Sequence, residues 1–511
     1  VDEDDYTTIQ PLPNLDYKIM QGNSLIEEFY GISLDIEKKP DEQIDVFTGG
    51  SSLDVLIEDL HQKQADFFNA EHPREKKKKR EAVETAIYNV FHNEFEKKKS
   101  ISSVETKVIE TDLKEMTHGN KLRNFFPWKL YFADVFRNKG GFDLIIGNPP
   151  YGLVKDKSLK TIYRKLYPET EFKIDLYSLF LLRAIQLYKS NSNGISNFII
   201  TNTLLDNYYE SKVREKLLNE TKILEINDLS DKIFEEAVVH SMIISFKNSK
   251  IEEYNIKTDI SEEIVGDIFF IPSNFFRQQY RTTFYLRLFL YWPLMEKLNN
   301  QSTHLNSVVE ISQTIKTGND SIHISNSKKA DNWMPILRGR DVNRYSYHFS
   351  NLFVNYGNNL ANPIRPEIFE QPKILIREAG AKIIATYDNA NYYVMSTLYN
   401  CTLLDSNFNL KYILSLINSN IFQFIMNLIT FEKTKGAFTK AKIFHYWHLP
   451  VKFINKEKQK PFINLVEQIL TAKKANPQAD TADIESEIDQ MVYELYGLTD
   501  EEIAIVEESM G

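Results

Sequence analysis

The sequence predicts an α/β fold carrying a helical insertion, followed by a mixed α+β domain and a helical C-terminal tail. Three observations lead there. The apolar run Phe142-Asp143-Leu144-Ile145-Ile146-Gly147 has the pattern of a buried strand, and it ends in Asn148-Pro149-Pro150-Tyr151, a rigid polar loop. Downstream, β-prone and helix-periodic segments alternate as in a parallel sheet covered by helices, giving half of a doubly wound domain. From about residue 301 the character changes, and Gly, Asn, Ser and short β-prone runs dominate.

The bulk properties bound the reading. At 511 residues with 42% hydrophobic side chains the chain is long enough for two to four domains, and it is neither disordered nor fibrous. The single cysteine, Cys401, excludes an internal disulfide framework and a cysteine-based zinc site, and it fits a reducing compartment. No charge-free apolar run is long enough to span a bilayer and no secretory leader follows Val1, so the chain is expected in the cytoplasm with no membrane partner and no metal site. Net charge is −10, yet a local groove field matters more than the total where phosphates bind. The 33 Phe and 27 Tyr residues supply rings for base stacking, although most are expected in the core.

In chain order, residues 1–32 begin with an acidic segment and then a short strand over 15–25 that leads into a polar turn. Residues 33–138 are mainly a helical insertion. Leu56, Leu60, Phe67, Ala82, Ile87, Val90 and Phe91 recur at helical spacing, and Lys76-Lys77-Lys78-Lys79-Arg80 reads as a solvated face. Within 139–250 a helix is expected over 176–188, a strand over 195–201, a helix over 210–218, a strand over 223–229 and a final strand over 241–246. Residues 251–300, aromatic and basic, read as a connector or helical bridge. Residues 301–452 form the turn-rich mixed domain, and 453–511 carry amphipathic helices over 461–474 and 483–496. There is no internal repeat.

The loop has a chemical logic. An exocyclic amine on an aromatic base is a poor nucleophile because its lone pair is delocalised into the ring, so it needs acceptors for both N–H bonds. The amide oxygen of Asn148 and the carbonyl of Pro149 offer two acceptors, and the prolines hold them in fixed geometry at low entropic cost. Tyr151 can stack on the base face. Such a group suits methyl transfer from a sulfonium donor to an amino nitrogen, by positioning and electrostatics. A plain turn is the competing reading. The position at a strand end, where open α/β sheets bind ligands, favours the chemical one.

The chain resembles the γ-class adenine-N6 DNA methyltransferases of the TaqI and type IIG restriction–modification family. Gly22-Asn23-Ser24-Leu25 is similar to the motif whose acidic or amide residue contacts the adenine of S-adenosylmethionine, so the resemblance implies Asn23 and Asn148 as cofactor-binding residues. Asn148, Pro149, Pro150 and Tyr151 match the catalytic motif. The run 173–180 is similar to the helix beneath the cofactor pocket, and 199–205 to the next strand and its loop. Ile233-Phe234-Glu235-Glu236-Ala237-Val238 resembles the motif whose aromatic residue stacks on the flipped adenine opposite the Tyr, which nominates Phe234 alongside Tyr151. Residues 301–452 look like the target-recognition domain, in which Lys316, Arg338, Arg340 and Arg344, with Lys435 and Lys440 of a basic loop, offer contacts to double-stranded DNA.

One part of the family pattern is missing. The first cofactor motif, ending Pro-x-Cys-Gly-x-Gly, should precede Asn23, and Phe47-Thr48-Gly49-Gly50-Ser51-Ser52 is a plain loop on the wrong side of it. The expectation is therefore a Rossmann-like methyltransferase domain lacking its first strands, with an N-terminal part elsewhere in the same polypeptide. Binding of S-adenosylmethionine would be incomplete in this chain, and the isolated chain is expected to be inactive. Mg2+ is expected only if a nuclease domain exists elsewhere, because no Pro-Asp…Glu-x-Lys cluster is present here. Two alternatives stay open: a DNA-specificity module without catalysis in isolation, and an Asn-Pro-Pro-Tyr methyltransferase acting on RNA or protein.

Overall fold

The strand ahead of the Asn-Pro-Pro-Tyr loop forms as β1 (Leu144–Gly147) and pairs in parallel with β2 (Ile195–Thr201), Gly147 lying opposite Phe198. In the computed structural model, residues 19–30, 52–70, 73–97, 103–117, 121–132, 135–188, 194–229, 240–249, 252–259, 268–430 and 441–510 are described. The chain divides into two compact units, Val1–Thr283 and Phe284–Gly511. The division falls inside the segment read as a connector.

The first unit is built on a six-stranded sheet of order β1-β2-β4-β3-β5-β6, completed by β3 (Lys222–Leu229), β4 (Ser241–Lys247), β5 (Asn255–Asp259) and β6 (Ile268–Pro272). The expected parallel sheet is corrected to a mixed one, since only β1/β2 and β3/β5 are parallel. The physical reason is connection length: the short link from Leu229 to Ser241 is too brief for a parallel crossover, so β4 runs antiparallel to both neighbours. Nor is β4 the last strand. The segment read as a connector contributes β5 and β6 to the same sheet.

A second correction concerns β1 itself. Its apolar run suggested a buried strand, but β1 is an edge strand, with Leu144 58% and Ile146 77% exposed. No strand covers its outer edge among the described residues. The helix Leu176–Leu187, an apolar segment with Tyr177, Leu179, Leu181 and Leu182 fully buried, packs against β2.

Residues 52–117 form three helices, α1 (Ser52–Phe68), α2 (Pro73–Lys97) and α3 (Ser103–Thr117). Val83, Ala86, Ile87, Val90 and Phe91 line one buried face of α2 at three- and four-residue spacing. Leu56 of α1 and Ala82 of α2, both read at apolar helical positions, are half-buried. The Lys76-to-Arg80 run lies on the outer side, where Lys79 and Arg80 pair with Glu75 and Glu84 at i,i+4 spacing. Phe29 joins this helical layer to the rest of the unit through edge contacts with Phe91 and Phe95 and a tilted contact with Phe125. Of residues 15–25, read as a short strand leading into a polar turn, 15–18 lie outside the described residues; Ile19 holds a single bridge and 21–28 form an irregular turn.

The second unit holds two four-stranded sheets. In one, Trp333–Leu337 pairs antiparallel with Phe353–Asn355 and parallel with Tyr393–Val394. In the other, Lys373–Arg377 lies between Ala385–Asp388 and Leu398–Leu403. Ile336, Leu337, Val354, Leu375 and Leu398 form the shared core. The helices Leu410–Ile417 and Asn420–Ile429 are almost wholly buried. The tail carries Lys456–Ala475, Ala482–Tyr496 and a third, unexpected helix, Asp500–Glu508, closed by a reciprocal Thr499/Glu502 cap. Pro461 looked like a helix start, but Asn455 caps the helix six residues earlier by accepting from the Lys458 amide. Among the described residues no single helix is long and apolar enough to cross a membrane.

Lys373 and Asp388 sit opposite each other in the second sheet as a fully buried ion pair, 2.5 Å apart. Lys373 also donates to the Phe369 carbonyl, and Asp388 accepts from the Ala390 and Tyr392 amides, so every charge is answered. Removing one partner leaves the other charged and buried. We expect Lys373→Met to destabilise the second unit by about 3–5 kcal/mol, measured by urea denaturation, whereas pairing it with Asp388→Leu should recover most of that loss.

Candidate active site

The loop after β1 is pinned at both ends. A Cβ on Gly147 would lie 2.3 Å from a ring carbon of Phe198, so only glycine lets β1 approach the Phe198 ring, which itself stacks on Phe246. At the far end Gly152 adopts φ +119°, open to glycine and strained for other residues. Its amide donates to Asp175 Oδ1 at 3.0 Å, and its carbonyl accepts from the Leu176 amide at 3.0 Å. The Val154 amide then reaches the Ile174 carbonyl at 2.9 Å, closing a short antiparallel contact. Between these pins Asn148 and Pro150 are exposed, Pro149 is buried and Tyr151 is half-buried, its hydroxyl 3.5 Å from the Ile199 carbonyl. The Asn148 side chain makes no hydrogen bond to another described residue, which leaves its amide available.

The turn containing Asn23 is built differently. Asn23 Oδ1 accepts from the Leu25 amide at 3.1 Å, and its Nδ2 donates to the Tyr163 hydroxyl at 3.1 Å. Trp128 Nε1 donates to the Ser24 carbonyl at 2.8 Å. Beneath, the buried Arg183 donates to the Leu25 carbonyl, the Tyr167 hydroxyl and Glu27 at 2.8, 2.9 and 2.9 Å. Burial pushes the Tyr167 phenol up to about 12 despite the neighbouring guanidinium. Loop and turn are thus fastened to one helix, the first at Asp175 before its start and the second at Arg183. At the helical rise these anchor points stand about 12 Å apart along the axis.

Behind the loop lies a buried polar layer. The Tyr177 hydroxyl meets Thr203 Oγ1 at 3.2 Å, and Ser178 donates to Glu210 Oε2 at 2.5 Å. Arg214, fully buried, donates to the carbonyls of Leu204, Asn207, Arg281 and Thr282. Sequence reasoning passed over Asp175, Arg183, Glu210 and Arg214 as functional positions. The available signal was a charge within apolar periodicity, clearest for Arg183 in Leu176–Leu187.

In the second unit Lys316 and Arg340 are exposed and Arg338 is half-buried beside Asp341, 3.6 Å away. The segment 394–396 runs between the two groups: Ile315 bonds to Val394 and Ser396, while Leu337 accepts from the Met395 amide. Lys316 and the Arg338-Gly339-Arg340 turn therefore flank one strand. Arg344 stands apart, ion-paired with Glu485 of the C-terminal helices. Phe234, Lys435 and Lys440 lie outside the described residues. Among the described residues no cluster of three or more His, Cys, Asp or Glu side chains is placed to hold a metal ion.

Each of the two units carries a match to a known family. Residues 75–234 match the Eco57I restriction-modification methylase family, and residues 334–451 match the TaqI-like C-terminal specificity domain; the chain carries both. It is 26% identical over 392 residues to a protein of Methanocaldococcus jannaschii described as a type II restriction enzyme and methyltransferase, covering 73% of this chain and 32% of that one. Over 81 residues it is 35% identical to the adenine-specific methyltransferase PglX of Streptomyces coelicolor, 15% of this chain and 7% of that protein. The fold is like that of the type IIL restriction–modification enzyme MmeI, solved in complex with DNA, at a TM-score of 0.50 and 15% identity, covering 78% of this chain and 62% of that one. The chain spans about a third of the length of the M. jannaschii relative.

Burial raises the Glu210 carboxyl to about 7, against the lowering effects of Ser178 and Arg214. The folded state therefore keeps a proton that the unfolded chain releases near pH 4.5, and stability falls as pH rises from there to about 7. The full penalty, present above that range, is on the order of 3 kcal/mol. Glu210→Gln should flatten this slope and raise stability at pH above 7 in denaturation series run across pH.

Proposed function

We propose that this chain is the modification and specificity part of a type IIG-like restriction–modification polypeptide that methylates N6 of an adenine turned out of duplex DNA. The observation that carries this is the available Asn148 amide at a strand end, with β1 pinned by Phe198 and the loop by Asp175. Asn148 Oδ1 and the Pro149 carbonyl accept the two N–H bonds of the adenine amine and concentrate electron density on its nitrogen. Tyr151 supports one face of the base, and Phe234 takes the other. Preorganisation matters more than acid–base chemistry here, because the two prolines and the Gly152 anchor hold the acceptors before substrate arrives.

S-adenosylmethionine supplies the electrophilic methyl group when bound. The residues present fit its reacting end, where Asn148 is open, better than its adenine end. The Asn23 amide already bonds Leu25 and Tyr163, so Asn23 serves that pocket through the turn it shapes and through its remaining N–H and lone pair. Leu144 and Ile146 on the open edge of β1 support a sheet completed by strands from an N-terminal part of the same polypeptide. We assign residues 1–32 and the sheet-forming segments from 139 to the methyltransferase domain, 33–138 to its helical insertion, 301–452 to target recognition and 453–511 to C-terminal helices. Lys316, Arg338 and Arg340 then contact DNA from the second unit, joined by Lys435 and Lys440, while Arg344 holds the C-terminal helices through Glu485.

In the intact polypeptide Asn148→Ala should abolish methyl transfer while leaving duplex DNA binding in place. A tritiated-methyl assay beside an electrophoretic binding assay measures both, and retained transfer would refute the assignment.

A further inference from the structure

A large aromatic ring left in solvent near a substrate loop invites a question about what covers it. Phe172 is 71% exposed, three residues before Asp175, and so belongs to the segment that anchors Gly152. Its ring lies 6.1 Å from that of Tyr209, tilted by 44°, and the Lys173 ammonium stands 5.5 Å over the Tyr209 ring. Tyr209 is in turn set edge-on against Tyr208 at 5.4 Å. The Arg281 guanidinium lies 3.8 Å over Tyr208 and donates to Glu171 at 2.8 and 3.0 Å, so the base of the stack is fixed by a charged pair.

This is a built surface: a supported row of rings with an exposed cation at its outer end. Both parts reach the chain beside the Asn-Pro-Pro-Tyr loop. Phe172 and Lys173 precede the Ile174–Val154 contact, and Tyr208-Tyr209 follows the end of β2, the strand whose Ile199 carbonyl faces Tyr151. We infer that Phe172, Lys173 and Tyr209 form a contact surface for the DNA strand that carries the target base, Lys173 meeting a phosphate and the two rings taking the sugar and base next to it. Charge and shape argue for this occupant. An ammonium beside open aromatic faces complements a phosphodiester carrying an adjacent base, and extrusion of one nucleotide leaves its neighbour with an unstacked face. The inference rests on the proposed DNA methyltransferase reading and adds to it a contact in the first unit, outside the specificity domain.

The test is equilibrium binding of the full chain to a fluorescein-labelled DNA duplex across a salt series. Phe172→Ala should weaken binding about tenfold, as loss of one stacking ring does. Lys173→Ala should make the plot of log Kd against log salt shallower by about one, the signature of one lost phosphate contact. Both side chains are exposed, and unchanged circular dichroism melting curves establish that folding is intact. If the wild-type chain binds DNA, and Lys316→Ala or Arg340→Ala weakens it while both patch variants keep wild-type affinity and salt slope, the surface is overturned and the methyltransferase reading stands. A wild-type chain with no affinity for duplex DNA would overturn both.

Discussion

The hydrogen bond from the Gly152 amide to Asp175 is the constraint on which the candidate site depends. Asp175 sits immediately before the helix Leu176–Leu187, whose free amides favour a carboxylate at that end. Burial works against the charge and raises the Asp175 carboxyl, while the Gly152 amide and the helix amides hold it down. The anion is therefore stabilised by the backbone groups that it positions. A loop with two prolines has little freedom of its own, so fixing its exit at Gly152 and its entry at Gly147 determines where Asn148 can stand.

Among the described residues, charged groups are buried in both units, and three arrangements show how they are engaged. Arg183 gathers Leu25, Glu27 and Tyr167; Arg214 collects four carbonyls; Lys373 and Asp388 answer each other across a strand pair. An apolar pair of equal volume in place of Lys373 and Asp388 would hold their strand pair together about as well, whereas Arg183 and Arg214 answer backbone carbonyls that no apolar side chain could satisfy. What the charged groups add is directionality. A guanidinium that must find three particular acceptors admits one register of the turn around Leu25, where a leucine would tolerate several.

Most of the regular elements were legible in the sequence, because their signals are local. Residues 195–201 became β2 as expected, and the helical spacing of Ile87, Val90 and Phe91 is the buried face of α2. What could not be read was pairing. Leu144 and Ile146 look like core residues in any window of sequence, and their exposure follows only from the position of β1 at the edge of the sheet. The strands β5 and β6 were hidden by the polar, charged residues between them. Partner identity was equally opaque at the site: nothing local to Arg344 announces Glu485, far along the chain, and nothing local to Asn23 announces the Tyr163 hydroxyl that its amide meets. The Asn-Pro-Pro-Tyr loop was legible because its constraint is covalent, two pyrrolidine rings that act without any partner.

The open edge of β1 has a consequence for how such a chain behaves during synthesis. Among the described residues nothing pairs with the outer edge of β1, and such an edge beside Leu144 and Ile146 is a template for any other extended segment, including the same strand of a second copy. Edge-to-edge pairing between chains competes with correct closure of the sheet whenever that edge is uncovered, and the competition grows with concentration. On the proposed reading, in which further strands cover that edge, the timing of their addition as well as its geometry sets how much of the protein escapes aggregation.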